Sequence, residues 1–221
     1  MKKILVSILI ALSLFSVVGN SVGAEPAKDP RSGIVRIWIG RIGSLVGSGF
    51  FLKDGYVVTN AHVVKMAGDP TQLYAVAYDD KDYKLTLVSM DEDKDLALLH
   101  AEGTNLPYLD VAANTDDDGN YEAYTNTPYD FYVHKKGTLQ KNFYTAVGDL
   151  SSVGAPHSYT SYSYRNMYSF GGEPGNSGSA VLNNRGEVAG VILAMMPDTH
   201  EAVGITLFDL QQFLRDNGVQ R

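Results

Sequence analysis

Turn-forming residues punctuate this chain at short, regular intervals from residue 34 to residue 206, and the runs between them are rich in β-branched and aromatic side chains. The first half reads as "GIVRIWIG", "VGSGFFL", "GYVVTNAHVV", "LYAVAYDD", "YKLTLVSM" and "LALLHA", with Lys53-Asp54-Gly55 as one of the turns. This spacing predicts a meander of about six strands. "TNLPYLDVAANTDDDGN" is a polar connection between two halves. Beyond it "YEAYTNT", "FYVHKKGTL", "NFYTAVGDL", "SYTSYSYRNMYSF", "SGSAVLN", "GEVAGVILAM" and "AVGITL" again read as strands. Only "TLFDLQQFLRDNG" breaks the pattern, because Leu207, Leu210, Phe213 and Leu214 recur at helical spacing. Thr206 with Asp209 fits a capping box, and Asn217-Gly218 fits a helix stop. The expected organisation is an all-β chain of two units, residues 34–113 and 114–205, closed by a C-terminal helix over 206–221.

The segment ahead of residue 34 has another character. Lys2 and Lys3 precede an apolar run from Ile4 to Val18, and Val22-Gly23-Ala24 fits a small-residue cleavage site. The run is broken by serines and shorter than the about 20 apolar residues that span a bilayer, so 1–24 reads as a secretory signal rather than a retained anchor. No stable membrane insertion is expected after cleavage. Residues 25–33, "EPAKDPRS" and the following glycine, read as a flexible mature N-terminus. The Lys-Lys start is bacterial in style, so the expected location is periplasmic or extracellular. Once the leader is removed, 16 basic side chains face 25 acidic ones. Such a surface repels phosphate backbones and excludes nucleic acid as a partner. The absence of cysteine excludes disulfides, a thiol nucleophile and a cysteine-based zinc site. No cofactor and no metal are expected.

Against this background "GGEPGNSGSAV", residues 171–181, stands out, because glycine is costly in ordered structure and is kept where the backbone takes special angles or is closely approached. Ser177 lies at its centre. A serine hydroxyl is a poor nucleophile unless a neighbouring base takes its proton and a third group orients that base. Of five histidines, His62 in "VVTNAHVV" directly follows an apolar strand, a context that suits a core residue as well as a catalyst. His100, His134, His157 and His200 lie at strand ends or in polar loops. Among the carboxylates of "DEDKDLALLH", Asp95 alone runs straight into an apolar strand and is drawn inside, where it needs a partner.

"TNAHVV", "DLALL" and "GNSGSAV", in that order, resemble the chymotrypsin-like (trypsin-like) serine proteases, in particular the bacterial HtrA or Deg-like branch. "GSGFFL", "LPYLDVA", "KKGTL", "GEVAGVILAM" and "GITL" extend the similarity over most of the mature chain. The resemblance implies two six-stranded antiparallel β-barrels, a chymotrypsin-like double barrel, with the active site between them and the C-terminal helix packed outside. It also implies a catalytic triad of His62, Asp95 and Ser177, and an oxyanion hole at Gly175, Asn176 and Ser177, with the Gly175 and Ser177 N–H groups as donors. A protein or peptide would be the substrate, hydrolysed through an acyl-enzyme. The branch's PDZ domain is not expected, since the chain ends soon after its helix. The oligomeric state is left open.

Departures from the family pattern carry their own expectations. Digestive relatives have an aspartate before the nucleophile that pairs with a new α-amino group after zymogen cleavage. Asn176 stands there, so the site should form without processing beyond the signal. The resemblance places Gly171 and Gly172 near the base of the specificity pocket and Ala194 and Met195 along its wall. With no acidic residue at the base and no histidine in the wall strand, the pocket should take small aliphatic P1 side chains rather than Arg, Lys or Glu. Glu173 replaces the branch's usual asparagine, and Met195 and Met196 are bulky, which keeps open an oxyanion loop gated by substrate. The alternative from another class is a catalytically silent member that binds a peptide or protein partner. "NTDDDGN" has the alternate carboxylates of a calcium loop but Thr125 at its closing position, and reads as an exposed acidic loop. Tyr159, Tyr162, Tyr164 and Tyr168 read as alternating across a half-exposed strand.

Overall fold

The computed structural model describes residues 26–41, 43–103, 105–115, 118–146 and 162–219. The leader, Tyr159 and part of the acidic loop lie outside these. Strands β1 (Ile34–Ile39), β2 (Ser44–Phe51), β3 (Tyr56–Thr59), β4 (Leu73–Val76), β5 (Asp82–Asp91) and β6 (Leu96–Ala101) close into one antiparallel barrel in the order β1-β2-β3-β6-β5-β4. Strands β7 (Asn120–Thr125), β8 (Val133–Ala146), β9 (Tyr162–Gly171), β10 (Ala180–Leu182), β11 (Val188–Met195) and β12 (Glu201–Thr206) close the second in the same cyclic order, β7-β8-β9-β12-β11-β10. The molecule is therefore the expected chymotrypsin-like double barrel.

Several strands are apolar on both faces because both are buried. In β6, Ala97, Leu99 and Ala101 point into the first barrel, while Leu96 and Leu98 point outward to a second apolar cluster. That cluster also holds Ile34, Phe50 and Val58 of the first barrel and Ala180, Leu182, Val188 and Val191 of the second. The largest core thus lies between the barrels and fuses them. Helix α2 (Leu207–Asp216) adds Leu207, Leu210, Phe213 and Leu214 to it, the four residues its periodicity singled out. Thr206 Oγ caps α2 by accepting the Asp209 N–H at 3.2 Å, and Gly218, at φ +70°, follows its end.

The strand reading needs three corrections. "GYVVTNAHVV" is not one strand: β3 stops at Thr59 and a short helix α1 (Ala61–Met66) follows. The runs "FYVHKKGTL" and "NFYTAVGDL" are joined in one long strand, β8, from Val133 to Ala146, with a register shift between Leu139 and Lys141, and residues 147–150 lie outside the described residues. The tyrosines of β9 do not simply alternate, since Tyr164 is exposed and Tyr168, four residues on, is fully buried in the second barrel. In the lead-in, Pro26 forms an isolated bridge with Tyr108. The Ala27 N–H donates to Tyr108 O at 2.7 Å, and Asp29 caps a single 3₁₀ turn at Pro30–Gly33.

The barrels meet closely where Gly178 follows the serine. Its φ is +88°, and a Cβ there would collide with the Ser48 carbonyl oxygen and Thr59 Oγ1, both in the first barrel. Gly178→Ala is expected to destabilise the protein by at least about 3 kcal/mol, read from denaturant unfolding, because neither backbone can retreat from the clash.

Candidate active site

Helix α1 carries His62, and its N-terminus is built by a residue remote in sequence. Asn60 precedes the helix in extended conformation but makes no side-chain cap. Instead Asp95 Oδ1 accepts the His62 N–H at 2.8 Å, while Asp95 O accepts the Ala61 N–H at 3.2 Å and Asn60 Nδ2 at 3.0 Å. The tight turn that delivers Asp95 closes on the Glu92 carbonyl and leaves Asp95 at φ +59°. Its second oxygen, Oδ2, lies 2.7 Å from His62 Nδ1. A carboxylate can only accept, so Nδ1 carries the proton and Nε2 is left as the basic nitrogen. Asp95 is fully buried and His62 is 2% exposed.

The turn bearing Asp95 is tied to the second barrel. Arg165 of β9, fully buried, donates to the Lys94 carbonyl at 3.4 Å and pairs with Asp209 of α2 at 3.4 Å. Burial pushes the Arg165 guanidinium below its ordinary value and, outweighing the attraction of Arg165, pushes the Asp209 carboxyl above its own.

Ser177 faces the same cleft as His62. The cleft has a volume of about 420 Å³ and is lined by both barrels, with Val46, His62 and Met66 from the first and Glu173–Ser177 and Ile192–Met195 from the second. Ser177 Oγ donates to the Leu193 carbonyl at 3.2 Å rather than to His62. The Gly175 and Ser177 N–H groups donate to no acceptor among the described residues. By contrast, the Asn176 N–H, which was not among the expected donors, donates to Glu173 O at 3.0 Å. Gly175 adopts φ +94°, and a Cβ there would come within 2.8 Å of Asn126 O.

Three residues that the sequence reading passed over hold this loop. Ser48 Oγ donates to Gly175 O at 2.8 Å and accepts from Asn126 Nδ2 at 3.0 Å. The Asn126 carbonyl accepts Asn176 Nδ2 at 3.0 Å, and the Asn176 Oδ1 accepts the Glu173 N–H at 3.0 Å and Lys135 Nζ at 3.1 Å. Asn176, almost fully buried, thereby has partners for both ends of its side-chain amide. Strand parity was the available signal for Lys135: it shares the inward face of β8 with Val133 and Gly137, while Lys136 faces out.

Of the residues expected to form the specificity pocket, Ala194 and Met195 line the cleft and Gly171 and Gly172 do not. Gly172 is buried behind the wall, so close to Met195 that a Cβ at 172 would lie 2.7 Å from the Met195 Cβ. Residues 172 and 195 are thus packed directly against each other.

A family model described as a trypsin-like peptidase domain matches residues 47–191, a span that holds His62, Asp95 and Ser177. A protein of Chlamydia pneumoniae named a probable periplasmic serine endoprotease DegP-like is 30% identical over 162 residues, covering 72% of this chain and 30% of that protein. A protein of the same name from Hahella chejuensis is 26% identical over 181 residues, covering 78% of this chain and 36% of its own. The chain thus spans about a third of the length of these curated relatives. Among solved structures, the active form of the Rv3671c protease from M. tuberculosis superposes with a TM-score of 0.69 at 21% identity, covering 97% of this chain and 96% of that one. The HtrA-type protease AlgW, solved with a decapeptide, gives 0.66 at 17% identity, covering 86% of this chain and 66% of that one.

Ser48→Ala would strand Gly175 O and Asn126 Nδ2 in a buried site. It is expected to cost about 1–3 kcal/mol, measured by urea unfolding, because unpaired buried polar groups carry their full desolvation penalty.

Proposed function

The chain belongs to the trypsin-like peptidase domain family, and from that premise we propose that it is an exported serine endopeptidase acting through Ser177, His62 and Asp95. The observation that carries this reading is the placement of His62: its Nδ1 is fixed on Asp95, and its ring lines the cleft that Ser177 enters. Ser177 rotates from Leu193 O toward His62 and attacks the scissile carbonyl carbon, and Nε2 takes its proton. The carbonyl oxygen, now negative, is met by the Gly175 and Ser177 N–H groups. Collapse of the tetrahedral adduct breaks the C–N bond as His62 returns the proton to the leaving amine. Water then hydrolyses the acyl-enzyme by the same path in reverse. Asp95 holds the tautomer and balances the imidazolium.

Two further points belong to this reading. Because Asn176 is neutral and already paired, no new α-amino group is needed, and the protein works once the signal at 1–24 is removed. The packing of Gly172 directly against Met195 leaves a shallow apolar pocket for a small aliphatic P1 side chain. The parked Ser177 hydroxyl favours a gated variant of the same enzyme, in which substrate displaces it from Leu193 O.

A fluorophosphonate probe is expected to modify Ser177 of the chain from residue 25 onward, with mass spectrometry locating the adduct. Ser177→Ala abolishes labelling and Asp95→Asn slows turnover by about 10⁴-fold. Labelling that appears only with added peptide marks the gated form, and none under any condition moves the chain to the silent, partner-binding class. Peptide libraries should show cleavage after Ala or Val, and Met195→Gly should shift it toward larger apolar residues. Cleavage mainly after Arg, Glu or Trp overturns the pocket assignment.

A further inference from the structure

We propose that Lys135 is a positioning residue that holds the 171–176 loop in the form in which Gly175 lines the cleft with its N–H unpaired among the described residues. This rests on the endopeptidase reading above. Lys135 stands on β8 opposite Ala123 of β7, with its side chain only 11% exposed. An ammonium group has three N–H donors, and here all three have acceptors: Gly171 O at 2.7 Å, Asn176 Oδ1 at 3.1 Å and Glu173 Oε2 at 3.3 Å. The three acceptors lie on both arms of the loop, so one cation fixes the arm that enters it from β9 and the residue that precedes the nucleophile.

The site is poorly designed for stability alone. Two of the acceptors are neutral, and the one carboxylate, on Glu173, is half exposed at 55%. Sheltering an ammonium against such partners gives little net stabilisation, since desolvation consumes much of the gain. What the arrangement supplies is geometry. Asn176 offers Oδ1 to Lys135 and to the Glu173 N–H, and its Nδ2 is spent on Asn126 O, which fixes the side-chain amide in one orientation. Without Lys135, the 171–173 arm keeps its backbone bond from the Gly172 N–H to His200 O but loses its side-chain tie to β8. The loop then samples conformers in which the oxyanion donors are misaligned, and activity falls with the competent fraction.

The test uses the whole mature chain. Lys135→Met should lower kcat and the fluorophosphonate labelling rate by about 10²-fold, the scale of losing one oxyanion donor, with KM changed far less. Hydrogen exchange should quicken in the 171–178 peptide and stay unchanged in β1–β6. The chain has no cysteine, so Lys135→Cys can be alkylated selectively under denaturant and refolded. Bromoethylamine, which rebuilds an ammonium at the same reach, should restore the rate, and a neutral alkyl reagent of similar length should not. Lys135→Met with wild-type labelling and wild-type exchange overturns the proposal, as does equal rescue by the neutral reagent. If the unaltered chain never labels, the endopeptidase reading falls, and the exchange comparison alone decides whether Lys135 holds the loop.

Discussion

The burial of an apolar face between two closed barrels sets the terms for everything else. Each barrel fills its own interior, yet Ile34, Phe50, Val58, Leu96 and Leu98 on the outward faces of β1, β2, β3 and β6 are apolar too and cluster with residues of β10, β11 and α2. Once that seam forms, the serine loop is pressed onto β2: the Ser48 N–H donates to Ser177 O at 2.8 Å, and Gly178 fits only because it lacks a side chain. His62 and Ser177 share a cleft as a result of this packing, coming from different halves of the chain. A chain without cysteine has no covalent means of imposing that alignment.

Within the cleft, Asp95 joins structure to chemistry. One carboxylate oxygen ends a helix and the other orients an imidazole, so the ring cannot turn without disturbing the backbone that carries it. The loop opposite is held by neutral groups in a relay, Ser48 to Asn126 to Asn176, and by the Lys135 ammonium. Both sides of the cleft are thus tied by hydrogen bonds, with the Asp95 carbonyl and Asn176 Oδ1 each accepting two. The Ser177 hydroxyl rests on Leu193 O and can turn about one bond.

Much of this could be read from the residues, and the parts that could not share a physical cause. Short β-rich runs between turns gave the strands of the first barrel, and the 3.6-residue period gave α2 with its four buried residues. His62, Asp95 and Ser177 were legible because each sits beside an unusual local context: a histidine after an apolar strand, an aspartate entering one, a serine among glycines. Local pattern failed where tertiary contact decides. Helix α1 was read as strand because its valines favour strands, and only the distant Asp95 supplies the cap that makes it a helix. Gly171 and Gly172 were placed in the pocket by the family resemblance, whereas on that segment the cleft lining begins at Glu173. Lys135 and Asn126 look like ordinary polar strand-end residues until the second barrel closes around them.

Closure of both barrels has one more consequence. Among the described strands, each is paired on both sides, so none can be drawn out singly without opening a ring of six. Proteolysis acts on extended polypeptide, and the segments of a fold open to it are the ones that detach locally. In a ring, detachment is nearly as costly as unfolding the domain. Cleavage within the strands is then governed by the global folding equilibrium rather than by the frailty of any one strand. Resistance to proteolysis in such a fold is a thermodynamic property of its topology.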